Sequence, residues 1–218
     1  MDSSVLQNLY GNFPWFPYRP VTQSRSGKLV CGIGINDSKF VVQPKVDGKQ
    51  VKHPAYSMWA GMLERCYKNS VISNPTYTGC TVDAEWLSFN NFALWFGTKT
   101  YHVGYELDKD IMFRNNKLYS KNTCLLIPKE VNSALTLNTA MRGATPLGVT
   151  EYKGRFRAKI SGKHLGLFDI EKEAHLAWQK AKIEQLQYYI SVYKILELNK
   201  VIARIEDDIY NERITIYL

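Results

Sequence analysis

The chain has 218 residues, which is enough for two small domains that each bury a core. Its formal net charge is +8 at pH 7 and its pI is about 9.2, an excess of cations that favours a polyanionic partner. No apolar run has the length of a membrane span, and Met1 to Ser4 lack the basic and apolar regions of a signal peptide, so we expect a cytoplasmic protein.

The first 53 residues predict an irregular segment with short strands. Residues 1–26 look irregular, because three prolines within 14–20 exclude a regular helix there. The aromatic residues among these prolines are expected to pack on the body of the protein. Leu29 to Ile35 and Lys39 to Gln43 are strand candidates, separated by a turn signal at Asn36 to Ser38.

Two amphipathic helices are predicted next, at Tyr56 to Tyr67 and at Glu85 to Phe96. Each places its apolar residues on one side, at the spacing of a helix that packs on a core. The stretch Thr136 to Pro146 is polar, contains a glycine and a proline, and predicts a linker. The linker separates a middle domain, 54–135, from a C-terminal module, 147–218.

The C-terminal module begins with a strand whose basic and apolar residues alternate strictly over 155–160. Successive side chains on a strand point to opposite faces, so three cations share one face and three apolar residues share the other. A helix with small residues, at Ala174, Ala177 and Ala181, together with Trp178, can cover the apolar face. Trp178 is therefore predicted to be a core residue in contact with Phe156.

A basic sheet of two or three strands fits the major groove of duplex DNA, so we interpret the cationic face as a DNA-binding surface. The candidate contact residues are Lys153, Arg155, Arg157, Lys159 and Lys163. RNA binding by the same surface is less favoured, because no pair of aromatic residues lies on the exposed strand face to stack bases. A solvated basic face without a nucleic-acid partner is the remaining alternative.

A long C-terminal helix is predicted to run unbroken from Asp169 to about Arg204. Its apolar positions continue beyond the length that one small sheet can cover. We therefore expect the distal half to pack on the first domain or on a second copy of the chain, or to bind a host protein.

This C-terminal module resembles the AP2 DNA-binding domain, which occurs in plant transcription factors and behind phage nucleases. The resemblance covers about forty residues and is carried by Gly148-Val149, Gly154 to Ala158, Leu165 to Phe168, Glu173-Ala174, Ala177 and Ala181-Lys182. It implies a three-stranded sheet with one helix, and contact with DNA through the sheet face.

The middle domain resembles HNH-type endonucleases of phages and bacteria, some of which carry an AP2 module behind the nuclease. The resemblance covers about eighty residues. Its motif residues, in chain order, are Tyr56, Trp59, Met62, Arg65 and Cys66; Asn74, Pro75, Tyr77, Gly79 and Cys80; Glu85, Trp86, Phe89 and Phe92; Leu107 to Ile111; and Asn116, Lys117, Tyr119, Ser120, Thr123 and Cys124. Together the two resemblances imply a phage protein of the homing-endonuclease type in the cytoplasm of a bacterial host.

The HNH resemblance implies a ββα-metal site, in which two strands and a helix surround one divalent cation. It places the strands at Tyr105 to Ile111 and Thr123 to Ile127, and begins the helix near Pro128. Asp108 on the first strand and Asn132 on the helix match the metal-binding pair of family members with Asp and Asn ligands. Oxygen ligands of this kind suit Mg²⁺ better than zinc.

The catalytic base that the family uses is missing from its usual position. Lys109 stands where these enzymes have a histidine, and a lysine is protonated near neutrality unless burial lowers its pKa. Thr123 stands where many relatives have the central asparagine. His102, six residues before Asp108, is the remaining candidate base near the motif.

The sequence thus predicts an α+β protein with an HNH-like ββα domain, an AP2-like sheet module and a long C-terminal helix. The predicted function is DNA binding with Mg²⁺-dependent cleavage of duplex DNA. The alternative is a catalytically inactive relative that regulates by binding DNA or protein. In that case Asp108, Asp110 and Asn132 serve as turn caps and hydrogen-bonding groups.

Overall fold

A computed structural model of the chain describes residues 2–22, 27–68, 75–100, 103–135 and 145–211. The protein is α+β, with small open sheets and six α-helices in the described ranges. The chain forms two compact units, residues 1–129 and 130–218. The predicted linker, 136–146, lies outside the described residues apart from Thr145 and Pro146.

The first unit combines three helices with short strand pairs. Its helices are α1 (Ser3–Tyr10), α2 (Pro54–Tyr67) and α3 (Phe89–Gly97), with 3₁₀ turns at Pro75–Tyr77 and Ala84–Leu87. Its strands are β1 (Lys45–Val46), β2 (Lys49–Gln50), β3 (Thr81–Val82), β4 (Tyr105–Asp108), β5 (Leu118–Tyr119) and β6 (Leu125–Pro128). The segments 1–53 and 54–129 contribute buried residues to one common core.

The N-terminal segment is more ordered than the sequence predicted. Residues 1–26 were expected to be irregular, but α1 occupies Ser3–Tyr10 and buries Leu6 and Tyr10. The prediction failed because the prolines that forbid a helix begin only at Pro14, after α1 has ended at Gly11. The aromatic residues that follow do pack on the core, except for Trp15, which is half exposed.

Neither predicted strand between residues 29 and 43 forms. The 29–35 stretch turns back on itself, with Val30 N–H donating to the Gly34 carbonyl at 2.8 Å and Gly34 N–H returning to Val30 at 2.9 Å. The 39–43 stretch makes only an isolated bridge, Pro20 with Phe40. Positive φ angles of 52° at Cys31 and 77° at Gly32 create the reversal.

The predicted helix at Glu85 to Phe96 is divided at Ser88 into a 3₁₀ turn and α3. Ile35 causes the division, because its N–H donates to the Leu87 carbonyl at 2.8 Å and its carbonyl accepts from Phe89 N–H at 2.9 Å. The Leu87 carbonyl and the Phe89 N–H therefore cannot also form the hydrogen bonds of a continuous helix. The side chains expected to face the core are all buried: Trp86, Phe89, Phe92, Ala93 and Phe96.

The strand, strand and helix that the HNH resemblance implies occur in the expected order. β4 and β6 pair antiparallel, with Tyr105 opposite Pro128 and Asp108 opposite Leu125. The next element in the chain is α4 (Lys129–Leu135). The first strand ends at Asp108 instead of continuing to Ile111, because the Asp108 carboxylate binds the next backbone N–H groups.

The second unit contains a three-stranded antiparallel sheet of β7 (Val149–Tyr152), β8 (Arg155–Ile160) and β9 (Lys163–Phe168). Both hairpin turns have two residues with positive φ, 51° and 74° at Lys153-Gly154 and 46° and 83° at Ser161-Gly162. Type I′ turns have this property, and their twist matches that of the strands. The sheet continues into α5 (Glu171–Tyr193) and α6 (Leu196–Tyr210).

The predicted unbroken helix from Asp169 to Arg204 is wrong, because the chain breaks at Lys194. Lys194 adopts the left-handed conformation, with φ 51° and ψ 33°, and ends α5. α6 then packs against α5, and Gln179 in α5 donates to the Ile209 carbonyl near the end of α6 at 3.4 Å. Part of the apolar stripe is thus covered within its own unit: Ile183, Leu186 and Val201 are buried, whereas Leu196 is 74% exposed. No described helix combines the length and apolar character of a membrane span.

The apolar face of the sheet is covered by α5, as the sequence predicted. Val149, Ala158 and Ala174 form a buried cluster, with Phe156 and Ala177 packed against it. Trp178 is only 5% exposed, which confirms it as a core residue. Its ring lies against Gly148 and stacks on the His175 ring, with 5.6 Å between the ring centroids.

Gly148 cannot carry a side chain in this arrangement. Its φ of 75° is unfavourable for other residues, and a Cβ atom would lie 1.9 Å from Cδ1 of Trp178. Gly154 has nearly the same φ, 74°, but a Cβ there would meet no atom within 4 Å.

We predict that Gly148→Ala destabilises the protein by about 1–3 kcal/mol more than Gly154→Ala does. Both variants incur the left-handed strain, but only the first must displace Trp178. Denaturant unfolding followed by circular dichroism measures the difference. Equal losses of stability in the two variants would contradict the packing of Trp178 on Gly148.

His53 is fully buried in the first unit, within a group of aromatic rings. The rings of Phe16 and Phe40 both lie 4.8 Å from its own. Tyr18 donates its hydroxyl proton to the Gly11 carbonyl, so the 2.9 Å bond between Tyr18 and His53 uses the His53 Nε2 proton. Nδ1 then keeps a lone pair that has no hydrogen-bond partner among the described residues. Burial lowers the pKa of His53 to about 3.

We predict that His53 makes the protein acid-sensitive between pH 6.5 and about 3. The unfolded chain takes up a proton at about pH 6.5, whereas the folded chain resists it, so stability is full above 6.5 and falls by up to about 4 kcal/mol toward pH 3. His53→Phe removes the titration and leaves Tyr18 bonded to Gly11.

Unfolding free energies of the parent and of His53→Phe across this range test the prediction, with His164→Asn as a control for an exposed histidine. The unfolding free energy of the parent should fall more steeply than that of His53→Phe as the pH falls. A parallel decline in both would show that His53 is not responsible.

Candidate nucleic-acid interface and candidate metal site

The strand register places the predicted cations on the face of the sheet opposite α5. Thr150 lies across from Arg157, and Tyr152 lies across from Arg155. Because cross-strand partners share a face, these four side chains are neighbours on one surface. Lys159 continues the row and lies across from His164. We call Thr150, Tyr152, Arg155, Arg157, Lys159 and His164 the cationic face.

Arg157 is positioned by an aromatic and a hydroxyl neighbour, and no carboxylate pairs with it in the described part of the chain. Its guanidinium carbon lies 4.7 Å from the centre of the Tyr152 ring, within cation–π range. Its Nε donates to the Thr150 hydroxyl at 3.4 Å, a long bond. Both contacts come from β7, so they hold the guanidinium toward that side of the sheet. Neither contact is a hydrogen bond from the terminal nitrogens Nη1 and Nη2.

Arg155 is held toward the other side of the sheet. Its Nε donates to the Asp169 carboxylate at 2.5 Å, and its Nη2 donates to the Leu167 carbonyl at 3.2 Å. Asp169 follows the end of β9 and its side chain is 79% exposed. Two arginines on one strand face therefore differ, because one is paired with a carboxylate and the other rests on an aromatic ring.

The remaining candidate cations, Lys153, Lys159 and Lys163, are exposed. Lys153 sits in the β7–β8 turn, and its Nζ lies 5.5 Å from the Tyr152 ring centre. Tyr152 thus has Arg157 and Lys153 as cationic neighbours. Lys163 lies across from Ile160, a position that alternates away from the arginines. We therefore count Lys163 as an edge residue, separate from the cationic face.

Asp108 caps the turn that ends β4. Its Oδ1 accepts from the backbone N–H groups of Asp110 and Ile111, at 2.7 and 2.8 Å. This is why the strand stops before its predicted end at Ile111: the N–H groups that would continue the ladder are bonded to the carboxylate instead. Burial raises the pKa of the Asp108 carboxyl, an effect that these two donors only partly oppose.

Lys109 is buried, with 3% of its surface exposed, and its contacts are those of an ammonium group. Its Nζ donates to the Asp110 carboxylate at 2.6 Å and lies 5.7 Å from the centre of the Tyr119 ring. Arg65 approaches the same ring, with its guanidinium carbon 5.6 Å from the centre. These contacts give Lys109 a structural role in joining the turn to β5.

Asn116 and Thr123 stabilise the loop that follows this turn. The Asn116 amide donates to the carbonyls of Lys109 and Leu118, at 2.9 and 2.7 Å, and its oxygen accepts from Leu118 N–H. The Thr123 hydroxyl donates to the Leu118 carbonyl at 2.7 Å and accepts from Ser120 N–H at 3.1 Å. The loop from 108 to 124 is therefore closed by polar side chains of the HNH-like motif.

The described residues provide an incomplete donor set for Mg²⁺. Asp108 belongs to the first unit and Asn132, on α4, to the second, and His102 lies outside the described residues. Within the first unit, Asp108 is the one ligand that the resemblance implies, and one of its oxygens already serves the turn. The described part of the chain contains no group of three or more His, Cys, Asp or Glu residues that could hold a metal ion.

Sequence reasoning missed three residues beside the arginines: Thr150, Tyr152 and Asp169. The first two could have been found, because period-two alternation over Val149–Tyr152 puts both opposite the buried Val149. Asp169 follows β9 and belongs to no periodic pattern in the sequence that would have identified it. Comparison with known proteins found no matching family model and no significant match among curated proteins or solved structures.

Proposed function

We propose that the protein binds duplex DNA through the cationic face of its second unit. The observation that carries this proposal is the two-sided sheet. One side packs on α5, and the other presents Arg155, Arg157 and Lys159; Arg157 rests on Tyr152 and Thr150, and Arg155 pairs with the exposed Asp169 carboxylate. A short antiparallel ribbon of this kind fits the major groove, where arginine and lysine can contact both base edges and phosphates.

Duplex DNA is favoured over single strands or RNA by the state of the one aromatic residue on this face. Tyr152 is 41% exposed, but Arg157 and Lys153 both lie near its ring. Proteins that bind single strands usually offer several free aromatic platforms for bases. One ring with cationic neighbours suits the positioning of an arginine better than the stacking of bases.

The AP2 resemblance agrees with this surface, and both resemblances favour a phage-encoded protein acting in the bacterial cytoplasm. A homodimer or a host protein bound through the C-terminal helices stays a prediction. α6 packs on α5 within the second unit, and Tyr188, Val192 and Leu196 are exposed on these helices.

We predict that the combined variant Arg155→Ala, Arg157→Ala and Lys159→Ala loses most of its affinity for duplex DNA. The loss follows from the removed phosphate and base contacts, and the slope of log K against log salt should flatten by up to about 2.7. Fluorescence anisotropy with a labelled duplex, measured over a series of salt concentrations, provides both quantities.

A matched control removes three exposed cations from the first unit instead: Lys45→Ala, Lys49→Ala and Lys52→Ala. This control changes the net charge by the same amount but leaves the cationic face of the second unit unchanged. If both triple variants bind DNA alike, net charge explains the binding and the cationic face has no special part in it.

Metal-dependent cleavage is the second candidate function. The order of β4, β6 and α4 favours it, because the HNH resemblance implies this arrangement. On this interpretation Asp108 would be the ligand that the first unit contributes, and a bound divalent cation would supply an activated water and neutralise charge on the phosphate. Lys109 is engaged with Asp110 and is a poor candidate for the base.

The cleavage test should use Asp108→Asn rather than Asp108→Ala. Asparagine keeps an oxygen for the N–H groups of Asp110 and Ile111, so the turn persists while the charge that attracts a cation is lost. If the protein is a nuclease, Asp108→Asn and Asn132→Ala should abolish Mg²⁺-dependent nicking of plasmid DNA with little change in DNA affinity. His102→Ala should then slow cutting by roughly a hundredfold if His102 is the base.

The absence of nicking by the parent with Mg²⁺ or Mn²⁺, on duplexes that it binds, would exclude this second candidate. The protein would then be a DNA-binding regulator on a nuclease-like scaffold. Melting temperatures of each variant identify any loss of activity that comes from unfolding.

A further inference from the structure

The two arginines of β8 differ in how readily their guanidinium groups can bind a DNA phosphate. They lie two residues apart on one face, yet Arg155 turns toward Asp169 and Arg157 toward β7. The Arg155–Asp169 pair is exposed, with 44% and 79% of the side chains accessible, so it is readily broken and adds little stability. The position of Asp169 therefore suggests a consequence for binding rather than for folding.

A carboxylate beside a DNA-binding arginine acts against phosphate contacts in two ways. It occupies the Nε donor of Arg155, and it repels any phosphate that approaches the same guanidinium. Both effects apply to every duplex, whatever its sequence, because all duplexes carry the same phosphates. A contact suppressed at Arg155 therefore lowers the affinity for every duplex by a similar factor.

Arg157 has the opposite surroundings. The Tyr152 ring and the Thr150 hydroxyl orient its guanidinium without pairing its charge. The bond to Thr150 uses Nε, so the two terminal nitrogens can point forward together, as the bidentate recognition of a guanine O6 and N7 requires. Orientation before binding also lowers the entropic cost of that contact.

We propose that Asp169 limits the affinity for DNA: it restrains Arg155 from phosphate binding, while Arg157 makes the sequence-dependent contacts. This inference rests on the proposed DNA-binding function and deepens it. Asp169 lowers the sequence-independent part of the affinity, and Tyr152 supports the specific contact by orienting Arg157.

The experiment compares the parent with Asp169→Asn on two duplexes of equal length. One is enriched by the parent from a random pool, and the other is an unselected sequence. Glu184→Gln is the matched control, since it removes one exposed carboxylate from α5, on the other side of the sheet. Affinities are measured by fluorescence anisotropy over a series of salt concentrations.

Asp169→Asn should bind the unselected duplex roughly fivefold to tenfold more tightly at about 0.1 M salt, with a salt slope steeper by about 0.9, the value for one added phosphate contact. The enriched duplex should gain by a similar factor, so the ratio of the two affinities should change little. The double variant Asp169→Asn with Arg155→Ala should lose the gain. Arg157→Lys, which keeps the charge but not the bidentate fork, should reduce discrimination at one base pair by roughly 10-fold to 100-fold.

Equal behaviour of Asp169→Asn and Glu184→Gln would overturn the proposal, because net charge would then explain the change. Weaker binding of the enriched duplex by Asp169→Asn, with the preference for one base pair lost, would also overturn it and make Asp169 a reader of cytosine. If the parent binds neither duplex at any salt concentration, the proposed DNA-binding function itself fails. That result is distinct from the first two, in which the parent binds.

Discussion

Burial of one face of β8 under α5 is the constraint on which the arrangement of the second unit depends. The face that carries Phe156 and Ala158 must be covered, and α5 can cover it only by coming close enough for Trp178 to lie on Gly148. Once that face is fixed, the alternation of the strand leaves Arg155, Arg157 and Lys159 on the other side. The position of the cations is thus a consequence of how the apolar residues are buried.

Periodicity predicted which residues face the core better than it predicted where elements end. The apolar stripes of α2, α3 and α5 are buried as expected, since burial follows from composition and spacing. The breaks at Ser88 and Lys194 depend on other causes. Ile35, far away in sequence, bonds the backbone on either side of Ser88, and Lys194 adopts a left-handed conformation that its residue type does not favour. Neither cause leaves a local pattern in the sequence.

The candidate sites were predictable to different degrees for the same reason. The cationic face follows from a single strand and its alternation, so the residues that form it could be named from the sequence. Asp169 and Asp108 act through contacts with particular donors, the Arg155 Nε and the N–H groups of Asp110 and Ile111. Carboxylates are acceptable as turn caps, ion-pair partners or metal ligands, and residue identity alone does not separate these roles.

The cations that contribute to the net charge of +8 are not equally accessible to a polyanion. Lys109 is buried with Asp110, and Lys182 is 6% exposed, with its Nζ bonded to the Ala134 carbonyl at 2.5 Å. Burial lowers the pKa of Lys182 to about 8, so part of its charge is lost near the upper end of the physiological range. Arg65 lies between the rings of Tyr77 and Tyr119, where a phosphate would compete with both. The cations that a polyanion can reach are therefore fewer than the 28 lysines and arginines of the chain. A measured salt slope would count these available cations, and its size would report on the local surface rather than on the composition of the chain.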